Sequence, residues 1–133
     1  MERIFLDANI LFSAAYRPDS GLLRLWTLEG VALVTSAYAA EEARRNLVEE
    51  GQRAALEALL GRMEMRKEEA APLGLPEGVD LPDKDVPVLR AAIAAAASFL
   101  LTGDVRHFGV YFGKTIGRVT ILPPGDYLRA RRR

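Results

Sequence analysis

Two apolar runs in this 133-residue chain end in an aspartate: IFLD at Asp7 and LLTGD at Asp104. If the runs are neighbouring strands, both carboxylates emerge at one edge of a sheet. A third acid, Asp85, with Asp83 two residues before it, opens the Ala-rich segment that leads into the second run. A fourth, Glu41 or Glu42, falls in the first turns of the segment that follows VALVTS. Three or four converging carboxylates repel one another unless a cation lies between them. Oxygen donors of this kind suit Mg²⁺ or Mn²⁺. Such ions bridge to substrate phosphate, and a pair of them clamps an in-line displacement. The acids therefore point to metal-assisted hydrolysis of a phosphodiester. Taken singly, each has a plainer reading as a helix cap, a turn closer or part of a solvated helix face. Taken together, independent caps have no reason to gather at one sheet edge.

The rest of the composition narrows the chemistry. The chain has no Cys and a single His, His107, which excludes a disulfide scaffold, a thiolate zinc site, a cysteine nucleophile and a His-rich metal centre. His107, three residues after Asp104, could sit near a metal or a scissile phosphate; the favoured reading is a structural residue of the VRHF turn, which metal-assisted hydrolysis does not require. Eighteen basic residues balance eighteen acidic ones, so the chain is not built to coat nucleic acid indiscriminately. Local contacts remain open to Arg44, Arg45, Arg90, Arg106 and Lys114 as a phosphate-binding rim, with ordinary solvated surface the competing reading. Tyr16, Tyr38, Tyr111 and Phe112 offer rings for stacking on unpaired bases, against core or interface packing. No Walker loop and no GxGxxG occurs, which leaves a nucleotide cofactor unsupported.

Half the residues are apolar and 27% are charged, the balance of a folded chain. The length suits one domain over residues 1–133, with a basic tail from about residue 129. No apolar run reaches the roughly 18–20 residues of a membrane span. The opening MERIFLDAN lacks the shape of a signal peptide, so a cytoplasmic protein with no membrane partner is expected.

The elements that must position the acids alternate between strand and helix. Apolar runs predict strands at 2–6, 31–35, 98–102 and 118–122, and the alternation of RMEMRK a further one at 62–67. Helical spacing predicts helices at 10–16, 22–28, 37–50, 52–60 and 86–97, and a short one after Pro123 and Pro124. Gly51 reads as the stop of the 37–50 helix, and residues 68–84 as a surface loop. The expected fold is α/β: a three-layer sandwich with a central parallel sheet of about five strands flanked by helices. In such sheets the active crevice lies beyond the carboxyl ends of the strands, where strand order reverses.

Three stretches, LDANILFSA, SAYAAEEARRNL and DVPVLRAAIAAAASFLLTGDVRHF, resemble the PIN domain of metal-dependent ribonucleases. The nearest likeness is to the toxin members of toxin–antitoxin pairs, and it spans nearly the whole chain. It implies a PIN-like, Rossmann-like fold and a divalent-metal-dependent endoribonuclease that uses one or two Mg²⁺ or Mn²⁺ ions. By this resemblance Asp7, Glu42, Asp85 and Asp104 are the catalytic, metal-holding acids. Asn9, Ser13 and Thr102 match polar positions that support them. The products would be a 5′-phosphate and a 3′-hydroxyl. The implied partners are RNA, a separate antitoxin and further copies of the chain, as a homodimer or a dimer of dimers. Two alternatives stand beside this reading. One is a PIN-like module that binds RNA or protein without cutting. The other is an aspartate-based phosphatase, disfavoured by Asn9 where that chemistry wants a second Asp.

Overall fold

The computed structural model describes residues 1–67 and 75–131. Six strands form one sheet: β1 (Glu2–Leu6), β2 (Val31–Ser36), β3 (Glu64–Arg66), β4 (Phe99–Leu101), β5 (Thr115–Ile116) and β6 (Val119–Leu122). Among the described residues six α-helices accompany them: α1 (Ala8–Tyr16), α2 (Ala37–Asn46), α3 (Glu50–Leu60), α4 (Val86–Ala94), α5 (Val105–Phe108) and α6 (Pro124–Arg131). The strand order is β3-β2-β1-β4-β6-β5. All neighbours run parallel except β5 and β6. From β1 the chain winds outward to β2 and β3, then returns to place β4 on the other side of β1. Strand order therefore reverses between β1 and β4, and the crevice beyond their carboxyl ends is the place where parallel α/β sheets bind ligands.

Alternation along the central strands makes the sandwich. Ile4, Leu6, Leu33 and Leu101 face one side and pack with Leu11, Ala43, Leu56 and Leu128 from α1, α2, α3 and α6. Phe5, Val34 and Leu100 face the other and pack with Val88, Leu89 and Phe108 from α4 and α5. A sheet covered on both faces needs apolar residues at successive positions, which is why FLL and ALV carry no polar alternation. The three-layer α/β architecture is thus the expected one. Among the described residues, no helix is long and apolar enough to cross a membrane.

Several boundaries differ from expectation, each for a local reason. The helix expected over 37–50 ends at Asn46, and α3 begins at Glu50. Leu47 leaves the helix in an extended conformation and is fully buried. The Arg53 Nε donates to the Leu47 carbonyl at 2.7 Å and closes the corner. Gly51 therefore lies in the first turn of α3 rather than at a helix end. The segment expected as a helix over 22–28 is a 3-10 helix, Gly21–Thr27, in which the Thr27 hydroxyl donates to the Arg24 carbonyl. Of the expected loop over 68–84, residues 68–74 lie outside the described residues. In the expected tail, α6 continues through Arg131, whose guanidinium donates to the Glu29 carbonyl at 3.1 Å; Arg132 and Arg133 lie outside the described residues.

The sixth strand was not expected because β5 is only two residues long. It pairs with β6 through a two-residue turn in which Gly117 and Arg118 both take positive φ, 54° and 72°. Positive φ at both central residues marks the turn that matches strand twist.

Helix α4 ends at Ala94, three residues earlier than expected. Ala96 takes φ 54°, and the Ala97 N–H donates back to the Ala92 carbonyl at 3.1 Å. This is a Schellman closure with alanine in the left-handed slot that glycine usually fills. The left-handed conformation costs a non-glycine residue about 1–2 kcal/mol. Glycine adds unfolded-state entropy worth about 0.4–1 kcal/mol. Ala96→Gly is therefore expected to stabilise the fold by about 0.5–1 kcal/mol, the difference of those terms. A higher urea midpoint at unchanged slope checks it, and a lower midpoint contradicts it.

Candidate active site

The loop after β1 and the loop after β4 meet across the reversal of strand order. Asp7 follows β1 and caps α1: its Oδ1 accepts from the Ala8 N–H at 2.7 Å. Its Oδ2 accepts from the Thr102 hydroxyl at 2.8 Å and the Asn9 Nδ2 at 3.1 Å. Asn9 also donates to the Thr102 Oγ1 at 3.1 Å and accepts from the Gly103 N–H at 2.8 Å. Thr102 in turn accepts from the Asp104 N–H at 3.1 Å. Asp7, Asn9 and Thr102 thus form a closed brace between the two strand ends. Thr102 is fully buried beneath it, and Asp7 nearly so.

Asp104 heads α5, and its Oδ1 accepts from the His107 N–H at 3.0 Å. Asp85 heads α4 yet makes no side-chain capping bond, which leaves its carboxylate to the cleft. The His107 Nδ1 lies 2.9 Å from both Asp85 Oδ2 and Asp104 Oδ2. Distance alone suggests an ion pair with each, but neither approach has the direction of a hydrogen bond. Asp85 Oδ2 and His107 Nδ1 are buried without a directed partner.

These groups open on a cleft of about 740 Å³. Asp7, Glu42, Asp85 and Asp104 line it, with Asn9, Asn46, Ser13 and Lys84 as further polar groups and Ile10, Phe12, Leu22 and Pro124 as an apolar wall. Of the adjacent acids in α2, Glu42 lines the cleft, whereas Glu41 is exposed and pairs with Arg44 at 3.7 Å. Asp83 is exposed and is not part of the lining. Arg44 is held in a two-pronged pair with Glu57, at 2.8 and 3.0 Å. Arg45, Arg90 and Arg106 are exposed and do not line the cleft. Lys84 does line it, and its carbonyl accepts from the Tyr38 hydroxyl at 2.9 Å.

His107, favoured as a turn residue over a place near the metal, lies against Asp85 and Asp104, and Lys84 and Asn46 are lining residues that were not expected. For His107 the signal was present. An Asp cap followed three residues later by His, within one turn of helix, returns the ring to the capping carboxylate. Lys84 offered only its position beside Asp85.

The electrostatics follow from burial. Loss of solvent pushes the Asp7 carboxyl up to about 6, against the Thr102 and Ala8 hydrogen bonds that lower it. The charges of Asp85 and Glu42 add to the rise. Asp85 is also raised, chiefly by burial and then by Asp104, with His107 and Lys84 acting the other way. Negative charge is therefore held here at a cost, in the manner of sites completed by a cation. The donor set fits a divalent cation: Asp85, Asp104 and His107 bring one donor atom each within 4.8 Å of one another. Two of those atoms have no directed partner of their own.

Residues 3–106 match the family model of the PIN domain. No curated protein matches the chain. Among solved structures, the fold is similar to VapBC2 from Rickettsia felis, crystallised bound to a DNA fragment from their promoter. The identity there is 18% and the TM-score 0.63, covering 91% of this chain and 98% of that one. It is also similar to VapC20 of Mycobacterium tuberculosis, a sarcin-ricin loop cleaving toxin, at 15% identity and a TM-score of 0.54. That match covers 76% of this chain and 91% of the other. At these identities the likeness is one of fold.

A raised carboxyl pKa means that the folded state binds the proton more tightly than the unfolded state. Its stabilising contribution is complete below the unfolded value near 4 and is lost as pH rises through about 6. Asparagine keeps only one of the two acceptor oxygens, a loss that does not vary with pH. In EDTA, the stability of Asp7→Asn relative to the wild type is therefore expected to rise between pH 4.5 and pH 8, by up to about 3 kcal/mol for a rise of about two units. Urea titrations at the two pH values check this, and a relative stability that is unchanged or falls towards pH 8 contradicts it.

Proposed function

Since the chain belongs to the PIN-domain family, we propose that it is a divalent-metal-dependent endoribonuclease. The observation that carries this reading is the brace of Asp7, Asn9 and Thr102, which holds a buried carboxylate in one cleft with Glu42, Asp85 and Asp104. Buried acids at the carboxyl ends of parallel strands serve a ligand rather than stability. One or two Mg²⁺ or Mn²⁺ ions held by these four acids would activate a water and neutralise charge on the phosphate.

The chain's own residues have distinct tasks in this proposal. Thr102, Asn9 and the Ala8 N–H fix the Asp7 carboxylate. With one bond at Oδ1 and two at Oδ2, one acceptor position on Oδ1 remains open. Asp104 keeps its orientation because its other oxygen caps α5. Glu42 enters from α2 on the far side of β1, and the Asn46 side chain donates to the Glu42 carbonyl at 2.9 Å. Lys84, at the rim, supplies a positive charge for an incoming phosphate. Phe12 and Leu22 offer an apolar surface to a base or sugar, while Ser13 and Asn46 offer hydrogen bonds. Arg45, Arg90 and Arg106 lie outside the cleft and would meet RNA backbone beyond it.

The likeness to VapBC2 and to the toxin VapC20 supports a further step. The chain would be the toxin of a toxin–antitoxin pair, with a separate antitoxin as partner and self-association as a homodimer or a dimer of dimers.

Labelled single-stranded RNA incubated with Mn²⁺ or with EDTA, beside Asp104→Asn, tests the activity. The asparagine retains the oxygen that caps α5. Cutting is expected with Mn²⁺ only, and at least about a hundredfold slower in the mutant. Equal cutting by both proteins, or cutting in EDTA, contradicts the proposal.

A further inference from the structure

Behind two of the cleft's carboxylates, Asp85 and Asp104, lies one group that an all-carboxylate site does not need. His107 is half-buried, and its Nδ1 is shielded from solvent and aimed between Asp85 Oδ2 and Asp104 Oδ2, 2.9 Å from each. Asp85 is more than nine-tenths buried, and its Oδ2 has no directed partner. In the neutral ring with its proton on Nε2, the Nδ1 lone pair faces two carboxylate oxygens, a repulsive arrangement. In the ring protonated at Nδ1, a single N–H could serve only one of the two oxygens, and it is directed at neither. A cation among the three atoms resolves both problems. Adjacent donors on an octahedral ion with bonds of about 2.1 Å stand about 3 Å apart, close to the spacing seen here.

We propose that His107 is a metal ligand through Nδ1, so that with Asp85 and Asp104 it forms a mixed nitrogen–oxygen site selective for a transition-metal dication over Mg²⁺. The inference rests on the metal-dependent reading above and adds to it the class of ion. Imidazole suits Fe²⁺, Ni²⁺, Cu²⁺ and Zn²⁺; Mg²⁺ keeps to oxygen donors and water, and Mn²⁺, at the weak end of the transition series, stands between them. The fold places the ring without further help. Asp104 caps α5 through the His107 N–H, and the same turn brings the His107 side chain back over the capping carboxylate. Coordination through Nδ1 requires the neutral ring with its proton on Nε2.

The test is electron spin-echo envelope modulation of Mn²⁺ added to metal-free wild-type protein. Coupling to an imidazole ¹⁴N is expected, and it should vanish in His107→Gln. His107→Gln should also bind Mn²⁺ at least about tenfold more weakly. His107→Asp replaces the nitrogen by oxygen and should shift the ratio of Mn²⁺ to Mg²⁺ affinity towards Mg²⁺ by a similar factor. Bound Mn²⁺ without ¹⁴N coupling in the wild type overturns the ligand assignment and leaves the carboxylate site standing. Failure of the wild type to bind Mn²⁺ overturns both. The wild-type spectrum decides the matter even if a variant does not fold.

Discussion

The structure depends on a buried carboxylate held at the point where the sheet changes direction. Asp7 has lost most of its solvent. Burial alone would discharge it, and hydrogen bonds from Thr102, Asn9 and the Ala8 backbone oppose that. The same bonds tie the end of β1 to the end of β4. Because the two strands are parallel neighbours, a group after one and a group after the other must emerge side by side. The brace turns that topological adjacency into a fixed geometry, and the remaining acids are placed around it by the helices that start at the same edge.

Those helix starts do two things at once. Asp7 and Asp104 satisfy the orphan N–H groups of α1 and α5, as ordinary caps do, and still present a carboxylate to the cleft. Asp85 occupies the corresponding position of α4 but forgoes the capping bond. Capping by Asp7 and Asp104 therefore does not compete with the proposed metal-site role, since one carboxylate can serve both. What sets this cluster apart from a set of caps is that the carboxylates converge and that Asp85 Oδ2, though close to His107, has no directed hydrogen bond.

Much of the architecture was legible because its signals are local and redundant. Apolar runs without alternation marked β1, β2 and β4, and the Asp after a strand marked the cleft edge. What was missed depended on contacts distant in sequence or on single backbone angles. Asn46 and Leu47 break α2 because Leu47 fills the core and Arg53 closes the corner, and nothing in RRNLVEEG states that. The left-handed turn at Ala96 is unreadable because alanine gives no hint of it. The two-residue β5 is too short for any periodicity. In the candidate site, Asp7 and Asp104 were legible because each closes an apolar run, whereas the choice of Glu42 over Glu41 and of Asp85 over Asp83 rested on the family resemblance. For His107 the turn reading outweighed a place near the metal because a lone histidine in a turn usually has no chemical duty, and only the arrangement of Asp85 against Asp104 reveals what it faces.

If the strand-end carboxylates form one divalent-cation site organised by Asp7, calorimetric titration of Mn²⁺ into metal-free wild-type protein will show saturable binding. Asp7→Asn, still folded, will bind at least about tenfold more weakly. Equal binding by the two proteins, or no binding by the wild type, would contradict such a site.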